Sequence, residues 1–175
     1  MKEKILYTSE QILAASRSLS DRILKDAPKD KDIILIGIAT GGLALAEGLS
    51  KELIEKGRKP LFGILDITFY RDDLALRKGH PVIRRTEIPF DLDHQYVVLV
   101  DDVLFSGRTI RAAMDALTDY GRPETIRLAV LIDRGHRELP IHPNFVGYTV
   151  QTKKTDRVRV DFEGQAQVVL EERNV

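Results

Sequence analysis

Three stretches of this chain are apolar without interruption: IILIGI within DIILIGI (32–38), VVLV at the head of VVLVDDVLFSGRT (97–109), and LAVLI within TIRLAVLIDR (125–134). A strand with one wet face alternates polar and apolar residues, whereas these runs offer no face to water and need cover on both sides. Helical patterns lie around and between them. Ile12, Leu13, Leu19, Ile23 and Leu24 recur at helical spacing, with Ser9 as N-cap and Pro28 beyond the end. A second pattern runs from Leu43 to Lys56 and closes at Gly57 and Pro60, and Ile110, Ala113, Met114 and Leu117 mark a third, ended by Gly121 and Pro123. LFGILDITFY (61–70) reads as a further strand. The alternation predicts an α/β fold, a parallel sheet with helices on both faces and right-handed crossovers. FVGYTV, RVRVDF and QVVLEE then add a β-rich C-terminal portion. Ligands of such sheets bind beyond the carboxyl ends of the strands, where Thr40, Asp101, Asp102 and Asp133 fall.

With 175 residues, 43% of them hydrophobic, the chain suffices for one domain, 1–175, with a sizeable core. Lys plus Arg and Asp plus Glu both total 27, so the chain is not a wholly basic coat for nucleic acid and any basic surface must be local. Cysteine is absent, which excludes disulfides and thiolate metal sites. MKEKILYTSEQ holds no apolar stretch of signal-peptide length, and no segment approaches the roughly 18 uninterrupted apolar residues of a membrane span. A soluble, cytoplasmic protein without membrane partners is the expectation.

VVLVDDVLFSGRT joins a buried strand to a helix through Phe105, Ser106, Gly107, Arg108 and Thr109. Backbone N–H groups at the helix start, the Ser106 and Thr109 hydroxyls and the helix dipole together suit a phosphate monoester, and Gly107 has no Cβ to obstruct it. The loop lacks the G-x-x-x-x-G-K-[ST] spacing of a Walker A motif and is not G-x-G-x-x-G. Asp101 and Asp102 stand a few residues upstream. Carboxylates accept hydrogen bonds from vicinal hydroxyls and also hold magnesium, so a ribose 5-phosphate answers both signals at once. The polar stretch from Arg71 to Asp93, with Arg71, Arg77, Lys78, Arg84 and Arg85, is too long for an ordinary connection and reads as functional.

VVLVDDVLFSGRT resembles the 5-phosphoribosyl-1-diphosphate (PRPP) signature of type I phosphoribosyltransferases. DITFYRDDL (66–74), VLVDDVLFSGRTIRAAMDAL (98–117) and GRPETIRLAVLIDRGHRELPI (121–141) further resemble the PyrR family, regulators of pyrimidine operons with uracil phosphoribosyltransferase activity. The resemblance extends over nearly the whole chain and implies the type I phosphoribosyltransferase fold, with a long mobile hood loop matching residues 71–87. It implies that Phe105–Thr109 bind the 5-phosphate of PRPP or UMP, that Asp101 and Asp102 bind the ribose hydroxyls and Mg2+, and that Thr40, Gly41 and Gly42 cradle pyrophosphate. Arg71 would act on the pyrophosphate during catalysis, and uracil specificity would come from the end of the fourth strand, around Leu131, Asp133, Arg134 and Gly135, where backbone groups and Arg134 meet the base edge; Arg134 and Arg137 equally suit a structural role as ion-pair partners of Asp133 and Glu138. The implied partners are PRPP, uracil, UMP and a pyrimidine operon leader RNA met by Arg17, Arg22 and Arg137, in a homo-oligomer. Family members carry a Lys-Thr-Arg-Gly-like pyrophosphate loop where this chain has Ala39-Thr40-Gly41-Gly42, which implies weaker phosphate contacts there. Asp21 and Asp26 beside Arg17 and Arg22, and His142 at a usually basic position, dilute the RNA patch. Two other functions stay open: a nucleotide-sensing RNA regulator with little or no catalysis, and a phosphoribosyltransferase for another nucleobase.

Overall fold

In the computed structural model, which describes residues 2–39, 41–71 and 85–172, the uninterrupted apolar runs become the centre of a sheet. In chain order the elements are β1 (Lys2–Tyr7), α1 (Ser9–Asp26), β2 (Ile33–Ile38), α2 (Gly41–Glu55), β3 (Leu61–Leu65), a 3-10 turn at Thr68–Tyr70, β4 (Tyr96–Leu104), α3 (Arg108–Leu117), β5 (Thr125–Asp133), β6 (Phe145–Thr149), β7 (Arg157–Asp161) and β8 (Gln167–Glu172). Five strands, ordered β3-β2-β4-β5-β6, pair in parallel. A second sheet, ordered β1-β8-β7, is antiparallel.

Two cores follow from the period of two along each strand. Ile33, Leu35, Val98 and Val100 face α1 and α2, joining Ile12, Leu19, Ile23, Leu45, Leu49 and Leu53. Their neighbours Ile34, Ile36, Val97 and Leu99 face the other way, onto Ile110, Ala113, Ala116 and Leu117 of α3. The sheet is therefore covered on both faces, as unbroken apolar strands require. Val158, Val168 and Leu170 of the antiparallel sheet join the α1/α2 core, so the two sheets share apolar contacts. Among the described residues no helix is long and apolar enough to cross a membrane.

Several boundaries depart from the sequence reading, each for a local reason. The N-cap of α1 is Thr8 rather than Ser9: Thr8 is extended (φ −87°, ψ 171°), and its backbone N–H donates to Gln11 Oε1 at 2.9 Å. LFGILDITFY is strand only to Leu65. Asp66 ends it, its Oδ1 accepting from the Thr68 backbone N–H at 2.7 Å and so turning the chain into the 3-10 segment. FVGYTV is not part of a separate β-rich tail, because β6 is the fifth strand of the parallel sheet. Strand β1 was not legible as a strand, since most of KEKILY is exposed and carries no apolar run. Helix α2 starts at Gly41 rather than Leu43, so the glycine pair forms its first turn.

At the opposite end of the sheet from the cavity described below, Asp26 closes α1 onto β4 and β5. Its Oδ2 accepts from the buried Tyr96 hydroxyl at 2.8 Å and from Arg127 Nε at 2.7 Å. Arg127 holds the Asp26 carboxyl below its ordinary range, while burial and the Asp26 charge push the Tyr96 hydroxyl up. A carboxyl with a lowered folded pKa contributes stability above its unfolded value near ~3.9, and loses it as pH falls through the folded value. Asp26→Ala is thus expected to lower unfolding stability by about 1–3 kcal/mol at pH 7, because the buried Tyr96 hydroxyl is left without its acceptor. Urea titration of both proteins checks this, and the gap should shrink as pH is lowered below about 4.

Candidate active site

Asp101 and Asp102 lie inside β4, not at its end, since the strand continues to Leu104. Successive strand side chains point to opposite faces, yet both carboxylates line one cavity of about 830 Å³. That is possible because the cavity spans the carboxyl ends of β2 and β4, taking in Ile38 and Val103 as well.

The first turn of α2 is laid directly on this part of β4. A Cβ on Gly42 would stand 2.1 Å from the Val100 carbonyl oxygen, and one on Gly41 would stand 2.2 Å from Asp102 Oδ2. At Gly42 the clash is with backbone, so only hydrogen fits there; at Gly41 it is with the Asp102 carboxylate, which would have to swing aside to admit a side chain. The close approach buries both acids. Asp101 Oδ1 accepts from the Asp102 backbone N–H at 3.0 Å, and Asp102 Oδ1 accepts from that of Val103 at 2.8 Å. Burial, followed by the neighbouring Asp102 charge, pushes the Asp101 carboxyl well above the usual carboxylate range, with Arg71 pulling the other way. Burial also raises Asp102, opposed by the Val103 hydrogen bond. Two desolvated acids side by side favour a ligand that neutralises them: a cation, or hydroxyls that donate.

A magnesium ion is bound through one or two carboxylates, with the remaining positions filled by water and substrate oxygens. Each acid accepts from a backbone N–H and the two side chains also bond to one another, and their remaining acceptor positions fit such an ion.

The anion loop is built on the same strand end. Gly107 is the N-cap of α3 in left-handed conformation (φ 92°), so the backbone itself favours glycine there. Its carbonyl accepts from the Arg111 N–H at 3.0 Å and starts the helix, and Arg108 N–H lies 3.4 Å from Ser106 Oγ. Thr109 reaches the cavity lining, together with Gly41, Arg71, Asp101 and Asp102, so these five sequence-derived residues converge on one space. Phe105, Ser106, Gly107 and Arg108 form the adjoining turn. Thr40 lies outside the described residues, as do Arg77, Lys78, Arg84 and most of the hood-loop segment.

Other expected residues sit elsewhere. Leu131 is fully buried in the α1/α2 core and presents no side chain to a ligand. Asp133 accepts from the Gly135 N–H at 2.9 Å and from Arg137 Nη2 at 2.6 Å. Arg134 is buried, donates to Thr152 Oγ1 at 3.2 Å and to the Lys153 carbonyl at 2.9 Å, and lies 4.3 Å from the Phe105 ring centre. None of the three lines the cavity. Arg137 is held internally, with only 17% of its side chain exposed, so it is a poor RNA contact. Arg17 remains 62% exposed beside Glu52, while Arg22 donates to the Val146 carbonyl.

The residues that sequence reasoning missed come from the antiparallel sheet. Val160, Asp161, Phe162, Glu163, Gln165 and Gln167 form a wall of the cavity, although their separation from β4 in the chain gave no hint of it. Glu47 of α2 and Asp66 after β3 add to the acidic lining. The single described guanidinium there, Arg71, faces Glu47, Asp66, Asp101, Asp102, Asp161 and Glu163 across the same space. Among the described residues, carboxylates thus outnumber cations around this space.

Comparison with known proteins agrees with this arrangement. Residues 3–166 match the model of the phosphoribosyl transferase domain. "Bifunctional protein PyrR" of Roseiflexus sp. is 50% identical over 160 residues, covering 90% of this chain and 87% of that protein. The protein of the same name from Nostoc punctiforme is 48% identical over 169 residues, covering 94% of each. Among solved structures, the hypoxanthine phosphoribosyltransferase of Trypanosoma cruzi superimposes with a TM-score of 0.72 at 17% identity, covering 98% of this chain and 97% of that one. A hypoxanthine-guanine phosphoribosyltransferase from Bacillus anthracis gives 0.70 at 16% identity, covering 89% and 88%. At such identities the likeness of the solved structures is one of fold, whereas the sequence matches reach further: with its paired acids, its glycine-capped loop and this degree of identity, the chain belongs to the PyrR family of phosphoribosyl transferase domains.

Proposed function

We propose that the protein is a uracil phosphoribosyltransferase, converting uracil and PRPP to UMP and pyrophosphate, and that it also serves as a UMP-responsive, RNA-binding regulator of pyrimidine operon transcription. The observation that carries the enzymatic half is the convergence of Asp101, Asp102, Arg71 and Thr109 on one cavity, beside a loop whose helix-start N–H groups suit a phosphate. In this reading Phe105–Thr109 take the 5-phosphate, and the carboxylates of Asp101 and Asp102 accept from the ribose hydroxyls. The same acids hold Mg2+, which when bound neutralises charge on the leaving pyrophosphate. Gly41 and Gly42 offer the pyrophosphate the N–H groups at the start of α2, and Arg71 adds a cation. The base lies against the β7–β8 segment around Val160 and Phe162, in place of Leu131, Asp133 and Arg134, which do not line the cavity.

The chemistry needs no covalent nucleophile. A ring nitrogen of uracil forms a bond to C1 of the ribose and gives up its proton to solvent as the bond from C1 to the pyrophosphate oxygen breaks, the bonding pair leaving with pyrophosphate, through a transition state with oxocarbenium character. Developing positive charge on the ribose is met by the two adjacent carboxylates, whose burial strengthens that attraction. The regulatory half rests on membership of the family, as does the expectation of a homo-oligomer acting in the cytoplasm, and of the expected RNA contacts Arg17 and Arg22 are exposed.

Incubation with PRPP, magnesium and each common nucleobase in turn should release pyrophosphate with uracil alone. Release with a purine and not with uracil would overturn the assignment. Chelation of magnesium should weaken PRPP binding by at least about tenfold, read by calorimetry, because the described lining carries far more carboxylates than cations. Asp101→Asn and Asp102→Asn separate function from stability. Both acids have raised folded pKa values, so at neutral pH their ionisation costs stability, which returns as pH falls toward those values. Each amide variant should melt at a higher temperature than the parent at pH 7 while losing on the order of 100-fold or more in kcat/KM.

A further inference from the structure

The segment DRGHRELP (133–140) is not spent on the ligand cavity, and its contacts show where it is spent instead. Arg137 donates from Nη1 to the Phe105 carbonyl at 2.8 Å and to the Gly135 carbonyl at 3.2 Å. Its Nε donates to the Ile141 carbonyl at 3.0 Å, and its Nη2 reaches Asp133 Oδ2 at 2.6 Å. The backbone N–H groups of Glu138 and Leu139 both donate to the Ser106 carbonyl, at 2.9 and 3.2 Å. Arg134 N–H donates to the Leu104 carbonyl at 3.1 Å, while its guanidinium covers the Phe105 ring. Glu138 Oε2 accepts from Arg108 Nε at 3.0 Å, and Ile141 and Leu139 lie against Gly107.

Every carbonyl from Leu104 to Ser106 is thereby engaged from one side by this segment or by Arg137. A peptide unit's carbonyl and the next residue's N–H point in opposite directions. Fixing the carbonyls of Phe105 and Ser106 therefore fixes the N–H groups of Ser106 and Gly107, which point away from the segment. A loop already holding its donors in the bound arrangement gives up less freedom when an anion arrives.

We infer that Arg137 is a positioning residue for the phosphate loop: through the Phe105 carbonyl it presets the loop N–H groups for a phosphate monoester. The inference rests on the reading that Phe105–Thr109 bind the 5-phosphate, and it gives Arg137 a task separate from RNA. A planar guanidinium serves the carbonyls of Phe105, Gly135 and Ile141 and the Asp133 carboxylate together. An ammonium keeps the pairing with Asp133 and cannot span all four.

The test is the affinity for UMP divided by that for uridine, measured by calorimetry on the whole protein and on Arg137→Lys and Arg137→Gln. Uridine lacks the phosphate, so damage spread through the fold lowers both affinities and leaves the ratio alone. A positioning role lowers the ratio by about tenfold, the loss expected of one well-placed hydrogen bond. Arg137→Gln covers the case in which Arg137→Lys does not fold, and thermal melting identifies the folded variants. A parental ratio in a folded variant overturns the inference. Gly107→Val tells that failure from a failure of the underlying reading: if it too keeps the parental ratio, the phosphate does not bind at this loop. If it abolishes the preference while Arg137→Lys does not, the loop reading stands and the positioning role falls.

Discussion

The geometry of the cavity depends on how closely the first turn of α2 lies on β4. With 2.1 Å between a notional Gly42 Cβ and the Val100 carbonyl oxygen, the approach is limited by backbone alone. This contact brings the positive end of a helix over two adjacent acids, of which Asp101 is buried and Asp102 partly so. It also gives Gly42 a reason independent of any ligand. A loop with lysine and arginine at the matching positions offers charge to pyrophosphate, whereas this chain offers proximity, the helix start resting on the acids themselves.

The central sheet was legible because an unbroken apolar strand has few physical options. IILIGI, VVLV and LAVLI could be stable only with cover on both sides, and the two cores that share their alternate residues are that cover. The anion loop was legible for a similar reason, since strand, small turn and helix in that order leave N–H groups converging. Strand β1 was not legible: as a largely exposed edge strand it is selected by pairing with β8, a partner some 160 residues away, and not by its own burial. The cavity wall at Val160–Gln167 was hidden likewise, because nothing local in VDFEGQAQ reports that it stands opposite β4.

The assignment of the base to Leu131, Asp133 and Arg134 shows what a motif conveys. DRGHRELP marks the family well, and its arginines invite a reading as ligand contacts. Arg134 and Arg137 are instead consumed by carbonyls and by Phe105. A motif can hold a fixed set of residue types because many internal bonds converge on it. Arginine serves this role well, since one planar group satisfies several acceptors at fixed angles. The chemistry then belongs to whatever the motif supports, which here is the loop one strand away.

The order in which the cavity's walls occur along the chain has a consequence for synthesis. The acids, the glycine pair and the anion loop are all present once β5 has been made, but the wall at Val160–Gln167 lies between β7 and β8 and is anchored by the pairing of β8 with β1. A growing chain that has just emitted β6 can close its parallel sheet and still hold an open-sided groove. Until those late strands dock the groove stays open on one side, so the enclosed cavity is the last part of the site to form.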